Sequence, residues 1–426
     1  MPDKTDSLLS SFLNRRYQEL ELDESFVLPD YQGGSILNLP GSICRLFDAP
    51  VLNEMPLRET YLSPLGEDLQ TVITILMDAL SLKKFRQWIN DGTAPVWAPL
   101  VQAGILAPLT SIVPSTTCSA LTSIWSAQST ASHGIAGYEG WLKEYGIVAN
   151  MLLHKPITYK GDNGGLQRAG FDVDTFLEGK RLGTHLLEHG VQTYAFLSRH
   201  IADSGLSRMH LKDTNLKMFG TPSELWVNIR RLLKKPTGKK RFIWVYWGEV
   251  DHYGHQYGPD DERVSAEFAS FSRDFERNFL EPLGKQPLNN TALILTADHG
   301  MKHTPVQAVY DLRRHPALDQ CLHMITGENR LTYLYIRPGC VDNVRQYFRK
   351  TWPGQFVLLT PEEAVSAGLF GPGKQHPRLM ERLGDLIAIA RDDAYIWWGK
   401  NQNALHGRHG GLHPDEMLIP FLGVRW

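Results

Sequence analysis

No CxxC pair, no long apolar run and no excess of either charge occurs in this chain of 426 residues, and each absence removes a class of function. The four cysteines, Cys44, Cys118, Cys321 and Cys340, are scattered in a way that suits a reduced compartment better than a disulfide framework. No segment approaches the roughly 18 to 20 apolar residues of a membrane span. The opening residues MPDKTDSLLSSFLNRRYQELELDE contain no apolar core of signal-peptide length, so a cytoplasmic chain with no membrane partner is expected. Forty-four basic against 46 acidic side chains leave a net charge of −2, which gives nucleic acid no electrostatic footing. Internal repeats and low-complexity tracts are missing too.

What is present is a globular composition, 42% hydrophobic, able to bury one large core or two unequal ones. Short β-branched and aromatic runs recur: TVITILM (71–77), VQTYAFL (191–197), RFIWVYW (241–247), TALILTA (291–297), LTYLYI (331–336) and GDLIAIA (384–390). Helix-like stretches such as 121–128 and 263–280 lie between them. Strands without a polar face, alternating with helices, predict a largely parallel α/β sheet covered on both sides. Ligands of such sheets collect beyond the carboxyl ends of the strands.

Three of these runs end in metal-ligand side chains. Asp78 follows the first, Asp251 and His255 follow the third within a Gly- and Pro-rich segment, and Asp298 and His299 follow the fourth. Singly, each has a plainer explanation: a helix cap for Asp78, a turn for Asp298 and His299. Jointly they mix carboxylate oxygen with imidazole nitrogen, which suits zinc, or else manganese or iron. Near the end, ALHGRHGGLHPDEM offers His406, His409 and His413, of which His409 lies between glycines that allow close backbone approach. A hydroxyl nucleophile is available in PSTTCSALTSIW (114–125), where Ser115 or Thr116 can cap a helix while Thr117 reacts. THLLEHG (184–190) places His185, Glu188 and His189 in an inverted zinc-peptidase order, but Gly190 reads as a helix stop, and a terminal histidine is favoured there by the helix dipole.

The combination PSTTCSALTSIWSAQSTASHGI, DHYGHQYGP, TADHGM and RHGGLHPDEM resembles the alkaline phosphatase superfamily, most closely its nucleotide pyrophosphatase/phosphodiesterase branch, from about Asp78 to Met417. The resemblance implies a single alkaline-phosphatase-like domain over 1–426, a three-layer α/β/α sandwich with a largely parallel central sheet. It also implies two divalent ions, usually zinc with manganese as the alternative, roughly 4 Å apart. Asp78, Asp298, His299 and Thr117 would surround one and Asp251, His255 and His409 the other. Thr117 would be the nucleophile, placed three residues after Pro114, in hydrolysis of a phosphodiester or nucleotide pyrophosphate through a phosphothreonine. Phosphomonoesterase, phosphomutase and non-catalytic phospho-ligand binding are the competing functions. Tyr138 stands where phosphodiesterase relatives carry an asparagine that contacts phosphate, so Tyr138 or Asn150 is the candidate substrate contact. Lys302 and His303 could add positive charge nearby. The stretch from about 150 to 235, with Phe171, Phe176 and Phe219, is expected to form either a cap over the metals or one more strand and helix of the sheet.

Overall fold

The computed structural model describes residues 3–17, 19–157, 165–235, 237–284 and 288–426. Seven strands form a central sheet: β1 (Thr71–Met77), β2 (Ile105–Thr110), β3 (Val191–Ser198), β4 (Asn215–Phe219), β5 (Lys240–Trp247), β6 (Thr291–Thr296) and β7 (Leu418–Arg425). Their order across the sheet is β2-β7-β6-β1-β5-β3-β4, and only β7 runs against the others. All residues of β1, β2 and β6 are buried, as expected of strands covered on both faces. The two covering layers can be read from β5. Trp244 and Trp247 are an odd number of residues apart and so point to opposite faces. Trp244 meets Trp125 at 5.5 Å between ring centroids, and Trp247 meets Phe271 at 5.3 Å. Trp125 belongs to α1 (Thr117–Ser126), while Phe271 lies on the long helix Glu262–Phe275, so helices clasp the sheet from both sides.

A second sheet departs from the parallel pattern expected of every apolar run. LTYLYI and LIAIA, at Leu331–Ile336 and Leu386–Ala390, pair antiparallel with each other, not with the central sheet. They join Phe356–Leu359, Leu322–Gly327, Glu139–Leu142, Ile147–Asn150 and Lys155–Pro156 in one antiparallel array. Periodicity could not separate the two sheets, because both contain strands buried on each face. Of the 150–235 stretch, Val191–Ser198 and Asn215–Phe219 are β3 and β4 and Pro222–Lys234 is a helix; residues 158–164 lie outside the described residues.

Candidate metal centre and its cavity

Register brings the strand ends together. Met77 pairs with Trp247 and Leu76 with Thr296, so β1, β5 and β6 release their following residues at one edge. Asp78 comes directly after β1, and Asp298 and His299 follow β6. Asp251 sits in the first turn of α2 (Glu249–Tyr257), and His255, four residues on, shares its face. Thr117 opens α1. His409 arrives on the loop before β7, fastened by pairing of Gly407–Arg408 with Lys302–His303 and by a bridge between Ser115 and Gly410. Glycine permits both approaches: a Cβ on Gly407 would stand 2.3 Å from the Gly254 carbonyl oxygen, and Gly410, at φ +107°, would place one 2.4 Å from Glu328 Cβ.

Hydrogen bonding decides which atoms are left for a ligand. The Nδ1 atoms of His255, His299 and His409 lie 2.8, 2.9 and 3.1 Å from the carbonyl oxygens of Gly407, Gly300 and Ser115. A carbonyl only accepts, so each Nδ1 carries the proton and each Nε2 presents a lone pair. These bare nitrogens converge: His255 Nε2 is 3.1 Å from His409 Nε2, and the Thr117 hydroxyl lies 3.1 Å from His299 Nε2. Asp251 Oδ1 stands 3.3 Å from His255 Nε2 and 3.6 Å from His409 Nε2, and His299 Nε2 is 3.5 Å from both Asp78 Oδ1 and Asp298 Oδ2. Among the described residues, none donates a hydrogen bond to those three carboxylate oxygens, although their surroundings are closed. The other oxygens are anchored. Asp298 Oδ1 accepts from the N–H groups of Ala79 and His299, and Asp78 Oδ2 accepts from the Tyr246 hydroxyl. Lone pairs facing lone pairs and orphaned anionic oxygens are unfavourable unless a cation lies among them, so the donor set fits metal ions.

Electrostatics agree. Burial, with the charges of Asp298 and Asp251, holds the Asp78 carboxyl well above its ordinary range, and burial beside His299 and His255 pushes His409 well below its own. A divalent cation would invert both tendencies. The groups around it form two clusters, Asp78 with Asp298 and His299, and Asp251 with His299 and His409. A cavity of about 890 Å³ opens onto Asp78, Thr117, Asp251, His255 and His409.

Glu328 also lines this cavity, and no sequence signal marks it. It occupies the turn between two strands of the second sheet, accepts the Tyr138 N–H at 2.7 Å and bonds the Thr116 hydroxyl; burial pushes its carboxyl up to about 8. Thr116 thus occupies the N-cap position of α1 without capping it, and the Ser115 hydroxyl is spent on the Gly411 carbonyl. Tyr138 borders the cavity with 40% of its surface exposed. Asn150 is not among the lining residues, because its Oδ1 accepts from the N–H groups of Leu152 and Leu153. Lys302 reaches toward Asp415 at 3.9 Å, His413 caps the helix Pro414–Met417, and His406 is exposed. His185 donates Nε2–H to the Pro50 carbonyl and Glu188 pairs with Lys180, so the 184–190 cluster is occupied by structural bonds apart from this centre.

A mostly parallel sheet with histidines and aspartates gathered at its strand ends defines the alkaline-phosphatase-like class. Within it, the chain belongs to the type I phosphodiesterase/nucleotide pyrophosphatase family, whose model matches residues 72–412. Human ectonucleotide pyrophosphatase/phosphodiesterase family member 5 is 25% identical over 167 residues, covering 39% of this chain and 33% of that protein. A bis(5'-adenosyl)-triphosphatase of Xenopus laevis is 23% identical over 205 residues, 46% of this chain and 41% of its own length. The matched stretches thus span well under two thirds of either relative. Among solved structures, murine ectonucleotide pyrophosphatase/phosphodiesterase 5, in an inactive form holding AMP, superposes with a TM-score of 0.61 at 18% identity, over 84% of this chain and 88% of that one. Phosphonoacetate hydrolase from Sinorhizobium meliloti 1021 gives 0.58 at 17% identity, over 84% and 91%. Among the described residues no helix is long and apolar enough to cross a membrane.

Proposed function

We propose that this chain is a divalent-metal-dependent hydrolase of phosphodiester or nucleotide pyrophosphate bonds, with Thr117 as its nucleophile. The supporting observation is the convergence of three histidine Nε2 atoms and three unpaired carboxylate oxygens, with the Thr117 hydroxyl against His299 Nε2. Asp78, Asp298, His299 and Thr117 would hold one ion, and Asp251, His255 and His409 the other, in a donor set suited to zinc or manganese. When bound, the ions supply positive charge that acidifies the threonine hydroxyl and balances charge on the phosphoryl and leaving oxygens.

The residues themselves do the rest. Thr117 begins a ten-residue helix whose N-cap side chain makes no capping bond, so the first N–H groups are free to bind a phosphoryl oxygen. Its Oγ1 bonds to phosphorus as the ester bond to the leaving oxygen breaks, and that oxygen departs with the bonding pair and takes up a proton. Water then adds to the phosphothreonine, the bond from phosphorus to Oγ1 breaks, and the hydroxyl is restored.

Chelator-treated protein should lose hydrolysis of bis-p-nitrophenyl phosphate and regain it with zinc or manganese. Full activity after exhaustive metal removal would refute the reading, and activity on p-nitrophenyl phosphate alone would replace the diesterase with a monoesterase.

A further inference from the structure

One buried imidazole in the cavity beside Thr117 takes no part in the metal centre. His210 closes the short helix Gly205–His210, lines the cavity and is only 2% exposed. Its Nε2 lies 3.0 Å from the hydroxyl of Thr122, which is on α1. That hydroxyl spends its proton on the Cys118 carbonyl at 2.6 Å, one turn back along the helix, so toward His210 it can only accept. Burial, with Arg181, His154 and His133 nearby, holds the imidazole well below its ordinary range, and the ring is neutral. Nε2 therefore carries the single ring proton and Nδ1 a lone pair. No described residue bonds Nδ1, which is not sealed in protein and so opens into the cavity.

Other polar groups of the wall are already paired or reach solvent. The Ser204 hydroxyl donates to Ser207, which donates to the Ile201 carbonyl. The Asn329 amide gives a proton to the Ile396 carbonyl and accepts from Arg408. His200 and His252 are exposed. An acceptor as deep as His210 Nδ1 is costly to leave without a partner. A metal ion does not suit it, since among the described residues it belongs to none of the groups of metal-binding side chains. Its lone pair repels an anionic oxygen, and the charge of Arg181 disfavours a cationic donor. An uncharged O–H or N–H group remains. Its place follows from α1, where Thr117, Leu121 and Trp125 recur every four residues and all line the cavity, so this face of the helix runs along the wall.

We infer that His210 is a specificity-determining residue, whose Nδ1 accepts a hydrogen bond from an uncharged O–H or N–H donor on the organic group attached to phosphorus, about 7.5 Å along α1 from the Thr117 hydroxyl. The inference rests on the hydrolase reading above and adds which atom of the protein reads that group and what it requires of it. Metal-loaded protein is assayed on pairs of p-nitrophenyl alkyl phosphates with retained chains from propyl to nonyl length, one member of each pair ending in methyl and the other in hydroxyl. The hydroxyl-to-methyl ratio of kcat/KM should peak at one chain length and reach at least about tenfold there, because a methyl group leaves Nδ1 unpaired. His210→Phe, or His210→Val should the first variant fail to fold, should remove the peak. His210→Asn, whose amide oxygen stands level with Nδ1 but does not reach Thr122, should keep most of it.

A wild-type series without a peak, or a peak that survives in folded His210→Phe or His210→Val, overturns the inference and leaves the hydrolase standing. Loss of the peak in folded His210→Asn as well would give His210 a packing role only and also overturn it. If no ester is turned over, the hydrolase reading fails, and binding decides His210 separately. By calorimetry, the hydroxyl-ended alkylphosphonate of one chain length should bind the metal-loaded wild-type protein at least about tenfold more tightly than its methyl-ended partner. Equal affinities at every length, or no binding of either series, overturn the inference.

Discussion

At the scale of single residues, adjacent threonines are separated by what their hydroxyls touch. Thr117 Oγ1 lies against His299 Nε2, whereas the Thr116 hydroxyl is bonded to Glu328. Thr117→Ala is therefore expected to lower kcat at least about a thousandfold. Thr116→Ala should cost no more than about tenfold, because it removes a neutral hydrogen bond worth about 1 kcal/mol. Steady-state rates on bis-p-nitrophenyl phosphate check both, and comparable losses would move the nucleophile assignment. Among the residues named from sequence, Asp78, Asp251, His255, Asp298, His299 and His409 converge with Thr117. Asn150 does not reach the cavity. It was the alternative to Tyr138 for the phosphate contact that the family resemblance implies, and its oxygen closes a local turn.

At the scale of elements, the loop bearing His409 is held from behind. Glu416 accepts two bonds from Arg330 at 2.9 Å and one from the Gly411 N–H, and both charged side chains are fully buried. Replacing Arg330 with Met would strand the carboxylate and should destabilise the fold by about 3–5 kcal/mol. A double variant with Glu416→Gln should recover part of that loss, and urea unfolding measures both. Gly410→Ala tests the loop itself. Its left-handed φ and the contact with Glu328 leave no room for a methyl group, so a loss of about 1–3 kcal/mol is expected together with weakened metal retention after dialysis. Retention at the wild-type level would show that the loop tolerates displacement.

At the scale of the whole molecule, buried neutral imidazoles tie stability to pH. His133, bonded to Ser123 and to the Ile135 N–H, is lowered by burial to about 3, and His154, packed on Phe171, to about 4. His413, which caps a helix, is likewise held at about 4. Their folded values lie below the unfolded one, so the unfolded chain binds more protons in acid. Their contribution is fully present above about pH 6.5 and declines as pH falls toward 4 to 3. The urea midpoint should therefore drop across that interval. In His133→Gln, which cannot gain the proton, the drop should be shallower; an unchanged slope would mean that His133 is not among the groups responsible.

The amino-acid sequence by itself determined four of the seven central strands, β1, β3, β5 and β6, the family motifs and the side chains that gather at the candidate metal centre. Each of these is a local fact: an apolar run sets a strand, and the residue after it is at that strand's end by connectivity alone. Only tertiary structure decided which strands formed the parallel sheet and which the antiparallel one, since hydrophobic periodicity reports burial and not partner. It also decided the bare Nε2 atoms, the Tyr246 anchor on Asp78, the arrival of Glu328 from a distant hairpin and the absence of cations along the described cavity wall. Those depend on groups far apart in the chain whose distances exist only once the core has closed around them.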